Sequence, residues 1–290
     1  MSTDAVPGAK SAAGPVSVAS TTAAPVSVPS AAQHRATVMA VTSGKGGVGK
    51  TFVSANVAAA LAKRGLRVLV LDADLGLANL DVVLNLHPKI TLHDVFTGKA
   101  KLEEAVLRAP GGFHVLLAGS GLVEYSRLTT EVREQFQRVI QQLMPSYDIV
   151  LLDTGAGISD VVLYAVSLAD EVLLVVTPEP TSLTDAYATI KVLASQQNRQ
   201  QIRMIVNQTL KMGDGRLITA QLQRVVDRFV SGQAGALVKL VHLGDIPSDN
   251  AVREALQRRQ LLFTTQPGSP PALALAALAG RLQEVAARWG

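Results

Sequence analysis

Gly44-Lys45-Gly46-Gly47-Val48-Gly49-Lys50-Thr51 is the stretch on which the reading of this chain turns. It satisfies the pattern G-x-x-x-x-G-K-[ST], follows an expected strand at Val38 to Thr42, and opens an expected helix, which is the setting the pattern requires. Glycines let such a loop wrap closely enough for backbone N–H groups to face phosphate oxygens, and the helix N-terminus adds positive potential where the negative charge lies. Lys50 is placed to reach the β- and γ-phosphates, and the Thr51 hydroxyl to ligate Mg²⁺. The expected ligand is therefore ATP with Mg²⁺, gripped by residues 44 to 51 and by Phe52 directly behind them.

Outward from the loop, short apolar runs alternate with amphipathic segments, the pattern of parallel strands covered on both faces by helices. Strands are expected at Val38 to Thr42, Arg67 to Asp72, His114 to Leu117, Ile149 to Asp153, Glu171 to Thr177, Ile202 to Asn207 and Val238 to Ile246. The first helix should run from about Lys50 to Arg64 and close on Gly65, a residue suited to a left-handed cap. The last, from about Pro271 to Arg288, sets Leu275, Leu278, Leu282, Val285 and Trp289 three or four apart, in one apolar stripe. The expected fold is α/β: an open, doubly wound, mostly parallel sheet with helices on both faces and ligands at the carboxyl ends of its strands. Residues 1–34 differ in texture, being almost wholly Ala, Ser, Pro, Val, Thr and Gly, and read as a disordered tail ahead of one ATPase domain at 35–290. Within that tail Pro15-Val16-Ser17-Val18-Ala19-Ser20 recurs as Pro25-Val26-Ser27-Val28-Pro29-Ser30, a repeat to which no function is assigned.

Composition removes several function classes. At 290 residues, 48% apolar and 17% charged, the chain can bury a substantial core. A net charge of +4, with no long basic run, is too mild to make nucleic acid the expected partner. Without cysteine there is neither a disulfide framework nor a thiolate-held iron–sulfur or zinc site. No apolar run approaches the roughly 20 residues needed to span a bilayer, and the N-terminus lacks the features of a secretory signal. The expected location is the cytoplasm.

Two further strand ends carry acid. The second strand runs into Leu71-Asp72-Ala73-Asp74-Leu75-Gly76-Leu77-Ala78-Asn79, which brings its carboxylates to the sheet edge that holds the phosphate loop. The run Ile149-Val150-Leu151-Leu152-Asp153 fits a Walker B strand, with Asp153 binding Mg²⁺ directly or through water. After it, Thr154-Gly155-Ala156-Gly157-Ile158-Ser159 is glycine-rich enough to rearrange when a γ-phosphate leaves. A lone aspartate at a strand end also serves as a helix cap.

With Lys45 as a second loop lysine, the heptapeptide from Lys45 to Thr51 resembles the deviant Walker A motif of the MinD/ParA class of ATPases. The resemblance implies that Lys45 crosses a dimer interface onto the partner's bound ATP, neutralising phosphate charge as an arginine finger does. It further implies that Asp74 orients the attacking water, with Asp72 supporting the magnesium shell. Asn207, at the end of Ile205-Val206-Asn207-Gln208, is similar to the class asparagine that hydrogen-bonds adenine. Pro247 and Asp249 resemble the loop that packs on the base's other side, although a turn-capping Asn and a strand-ending Pro are also ordinary.

Over about residues 37 to 289, and above all in Asp153 to Ser159, Thr177 to Tyr187 and Asp74 to Asn79, the chain looks like the FlhG/FleN (YlxH-like) group of flagellar-number regulators. That group implies an ATP-switched homodimer that engages flagellar regulators or basal-body proteins. The D-Q-A-x-x-L-R element of many such proteins is not found in residues 1–36, and the amphipathic membrane helix usual after the last domain helix is expected to be missing, so membrane contact is expected only as a minor alternative. The competing function is positioning of another cellular structure, or ParA-like DNA partitioning through a basic face built from residues such as Arg203, Arg216, Arg224, Arg228, Arg253, Arg258 and Arg259. Lack of cysteine separates the chain from the nitrogenase-type and Mrp-like relatives, and dispersed tyrosines separate it from the bacterial tyrosine kinases.

Overall fold

Each apolar run expected to be a strand is one. In chain order the elements are β1 (Thr37–Ser43), α1 (Lys50–Lys63), β2 (Val68–Ala73), the short helices α2 (Leu80–Leu84), α3 (Leu92–Phe96) and α4 (Leu102–Ala105), β3 (Val106–Arg108), β4 (His114–Leu116), α5 (Thr130–Leu143), β5 (Ile149–Ala156), α6 (Asp160–Ser167), β6 (Glu171–Val176), α7 (Pro180–Gln197), β7 (Gln201–Thr209), α8 (Asp214–Val226), β8 (Lys239–Pro247), α9 (Asn250–Gln257), α10 (Leu262–Thr265) and α11 (Pro270–Ala286). The structure is a computed structural model and describes residues 1–2, 35–75, 79–119, 128–211, 213–232 and 237–289. Contacts divide the chain into Met1–Ala32 and Gln33–Gly290, and every one of these strands and helices belongs to the second unit. Apart from Met1 and Ser2, the expected tail and its repeat lie outside the described residues.

The eight strands form one sheet in the order β3-β4-β2-β5-β1-β6-β7-β8. All neighbours are parallel except β3 and β4. Sequence reading missed β3, whose three residues are too few to show a two-residue period; it pairs antiparallel at the sheet edge. Side chains alternate across the strands, so each apolar run feeds two cores. Leu69 and Leu71 of β2 join Val150 and Leu152 of β5 in one, beneath α5, α6 and α7. Val68 and Val70 join Ile149 and Leu151 in the other, beneath α1 and α11. The same parity carries Asp72 and Asp153 to the α1 face, where they are paired residues on adjacent strands.

The expected helix signals hold. Gly65 closes α1 at φ +88°, donating its N–H to the Ala62 carbonyl at 2.9 Å. Along α11 the side chains of Leu275, Leu278, Leu282 and Val285 are buried, and the helix packs on α1 and β8 as a core element. Trp289 departs from the expected stripe: the helix ends at Ala286, and the residue is 48% exposed. Its indole N–H donates instead to Glu171 Oε1 at 3.1 Å. Arg203 grips the same carboxylate with two bonds of 2.9 Å. Being buried in that pair, Arg203 is not part of any basic surface. Among the described residues no helix is long and apolar enough to cross a membrane.

Candidate active site: a phosphate loop beside three aspartates

The phosphate loop, the carboxyl ends of β2 and β5 and the start of α6 enclose a cavity of about 650 Å³. Gly46, Gly47, Gly49, Lys50, Thr51 and Phe52 line it from the loop side, and Asp72, Asp74 and Asp153 from the strands. Two loop glycines adopt left-handed conformations that side chains resist, Gly47 at φ +79° and Gly49 at φ +93°. Gly49 is the N-cap of α1, and no side chain caps that helix, so its first N–H groups are left for an anion. Gly44 is required by proximity: a Cβ there would collide with the Asp185 carbonyl in α7.

Lys50 lies across the loop, its Nζ donating to Ser43 Oγ at 3.0 Å, while Ser43 Oγ donates to the Lys45 carbonyl at 2.7 Å. Burial lowers the Lys50 pKa, and the charges of Asp153 and Asp74 oppose that shift. Ser54, one turn after Lys50 on α1, donates to Asp153 Oδ1 at 2.9 Å. Burial raises the Asp153 pKa to about 6, against hydrogen bonds from Thr51 and Ser54 and the charge of Lys50 that lower it. Asp72 is 1% exposed. Its Oδ1 accepts the Asp74 N–H at 3.2 Å, while its Oδ2 has no partner. Burial, followed by the neighbouring Asp153, pushes its carboxyl well above the usual carboxylate range. Asp74 packs so close to β5 that a Cβ on Gly155 would come within 3.3 Å of its Oδ2.

The donor set of Thr51 hydroxyl, Asp72 and Asp153 is all oxygen, and the orphaned Oδ2 of Asp72 is a buried acceptor awaiting a cation or its water. Among the described residues no three His, Cys, Asp or Glu side chains could hold a metal unaided. The all-oxygen donor set fits Mg²⁺, which binds through few carboxylates together with substrate phosphates.

The glycine-rich segment after Asp153 is tied to the loop. Gly157, at φ +88°, donates its N–H to the Ser43 carbonyl at 2.8 Å, and Thr154 donates its hydroxyl to the Val41 carbonyl at 3.1 Å. Ser43 thus touches both Lys50 and the segment expected to move. Of the other expected switch, Asp74, Leu75 and Asn79 line the cavity, and residues 76–78 lie outside the described ones.

Lys45 does not line the cavity. Its Nζ donates to Glu179 Oε2 at 2.9 Å and to Thr181 Oγ1 at 3.0 Å, at the start of α7. Nor do Gly44, Val48, Asn207, Pro247 or Asp249 line it, although Leu256 of α9 does. Asn207 Nδ2 donates to the Val48 carbonyl at 2.8 Å, Pro247 ends β8, and Asp249 caps α9 by accepting the Ala251 N–H at 2.8 Å. Sequence reading gave no role to Ser43, Ser54, Glu179 or Thr181. Ser54 had a signal, four residues beyond Lys50 on one helix face, whereas the seat of Lys45 joins residues 134 and 136 positions apart and had none.

The sequence profile of the AAA domain family matches residues 36–212. The chain is 43% identical to the antiactivator FleN of Pseudomonas aeruginosa over 249 residues, 86% of this chain and 87% of that protein. It is 32% identical to the flagellum site-determining protein YlxH of Helicobacter pylori over 246 residues, 84% of this chain and 81% of that one. In structure it is similar to the septum site-determining protein MinD of Pyrococcus horikoshii complexed with Mg-ADP, with a TM-score of 0.69 at 29% identity, covering 88% of this chain and 99% of that one.

Proposed function

Because the chain belongs to the MinD/ParA family of P-loop ATPases, in the group that includes FleN and YlxH, we propose that it is a Mg-ATP-dependent ATPase switch, assembled as a homodimer, that regulates flagellar number or placement. The observation that carries the dimer-coupled part is the direction of Lys45. The cavity is furnished with its own lysine, Lys50, while Lys45 sits outside it on Glu179 and Thr181. A cation held out of its own site is free to complete another.

In this reading the backbone N–H groups of the loop bind the phosphates, and Lys50 leaves Ser43 for the β- and γ-oxygens. Mg²⁺, when bound, neutralises charge on those oxygens, and Thr51, Asp153 and Asp72 are the residues that would hold it. Asp74 orients water toward the γ-phosphate from the β2 side. The second subunit's Lys45 supplies charge where it develops in the transition state. Loss of the γ-phosphate lets the segment from Thr154 to Ser159, anchored through Gly157 to Ser43, relax and release the dimer. The output is a nucleotide-selected set of protein contacts, and the relatives FleN and YlxH support a flagellar target.

Mixing two inactive variants tests the cross-subunit role. Lys45→Ala keeps a complete site but lacks the cation it delivers, and Asp74→Ala keeps the cation but lacks the water-orienting carboxylate. Combined, they should recover ATP turnover that neither has alone, because one site of each mixed dimer is whole. No recovery, with the mixed dimer shown to form by light scattering, would end this reading. For the flagellar part, deletion of the gene in its cell of origin should change flagellar count or position; an unchanged pattern would favour the positioning of another structure.

A further inference from the structure

Ser43 is the last residue of β1 and is fully buried. Three parts of the site meet on it. Its Oγ accepts from Lys50 Nζ at 3.0 Å and lies 2.7 Å from the Lys45 carbonyl. An ammonium only donates and a hydroxyl carries one proton, so that proton is committed to the Lys45 carbonyl. The Ser43 carbonyl accepts the Gly157 N–H at 2.8 Å, and a shift in the β1–β5 register between Val41 and Ser43 sets Ser43 opposite Ala156.

The two contacts of the hydroxyl belong to different states. Nucleotide that draws Lys50 to its phosphates breaks the first, whereas the bond to the Lys45 carbonyl involves no atom that nucleotide has to move. Lys45 is thereby fixed at its backbone while its side chain leaves the loop for Glu179 and Thr181. On one side of it Gly44 is pressed against the α7 backbone; on the other, a Cβ at Gly46 or Gly47 would meet nothing within 4 Å. The hydroxyl acts where a confined stretch passes into an open one, and a side chain that must reach a second subunit needs its backbone held there.

We propose that Ser43 is a positioning residue for Lys45, holding the peptide from which that side chain reaches the second subunit's ATP, so that Ser43 acts on turnover in the neighbouring site and not in its own. The proposal rests on the cross-subunit role proposed for Lys45.

Pairing of variants tests it. ATP turnover with Mg²⁺ is measured for full-length Ser43→Ala by itself, mixed with Asp74→Ala, and mixed with Lys45→Ala. By itself the variant should lose roughly tenfold or more in turnover. Mixed with Asp74→Ala it should regain activity, because its own site keeps Lys50, Thr51 and Asp74 and receives a well-placed Lys45. Mixed with Lys45→Ala it should regain none. No recovery with Asp74→Ala, or recovery with Lys45→Ala, would put Ser43 to work in its own site and overturn the proposal, as would undiminished turnover by Ser43→Ala alone. Calorimetric titration with Mg-ADP gives an independent readout: affinity should be equal or higher, since the variant loses a contact of the empty site only. Weaker binding would show a disturbed loop and overturn the proposal too. If Lys45→Ala and Asp74→Ala fail to recover each other, the cross-subunit reading fails first and takes this inference with it. Should Ser43→Ala not fold, Ser43→Cys, similar in shape and a weak donor, carries the same comparisons.

Discussion

Two carboxylates one strand apart, Asp72 and Asp153, are buried in register behind the phosphate loop. A carboxyl whose pKa is higher folded than unfolded binds its proton more tightly in the folded state. The contribution of Asp153 to stability is therefore largest in acid and declines as pH rises from about 4, the unfolded value, through about 6. Asp72 shifts in the same direction and adds the same sign. Asp153→Asn keeps the shape and can still accept the Ser54 hydroxyl. It should stabilise the nucleotide-free protein at pH 7 by up to about 3 kcal/mol, seen as a higher urea midpoint, and flatten the pH dependence between 4 and 6, while abolishing Mg²⁺-dependent ATP binding. A lower midpoint at pH 7 would show that the burial cost is already relieved. The sequence made both aspartates visible as acids at strand ends. Their adjacency was hidden, because β2 and β5 are distant in the chain and only pairing brings them together.

Helix α7 is one of the elements through which the loop meets the rest of the fold. Gly44 touches its backbone and Lys45 its first turn. Gly44→Ala should drive a Cβ into the Asp185 carbonyl, costing about 1–3 kcal/mol in denaturant unfolding and lowering nucleotide affinity with it. Normal stability and affinity in that variant would mean α7 moves aside freely. The Lys45–Glu179 pair is different, since both side chains are well exposed and such pairs are worth about 0–1 kcal/mol. So weak a pair does not hold Lys45 to its seat, as the proposed dimer requires. On the opposite side of the sheet, Leu278→Ala should cost about 2–5 kcal/mol, because α11 is a core helix whose apolar stripe is already buried. Periodicity revealed that stripe. It could not reveal that Trp289 turns out of it to Glu171, since the end of the helix depends on a partner 118 residues away.

For the whole molecule, the alternation of apolar runs and amphipathic segments was enough to give a doubly wound sheet, and the loop motif was enough to put the site at its carboxyl edge. What the sequence could not convey is orientation: that Lys45 is turned out of its own cavity and that Asn207 lies behind the loop. The first of them is what the proposed pairing of two chains rests on. The most direct measurement is molecular mass by light scattering for the wild type, Lys45→Ala and Asp74→Ala, each with Mg-ADP and with Mg-ATP. Asp74→Ala should hold a stable dimer in Mg-ATP and none in Mg-ADP, while Lys45→Ala stays at the monomer mass in both. A mass that never responds to ATP, with normal turnover by Lys45→Ala, would contradict the dimerising switch.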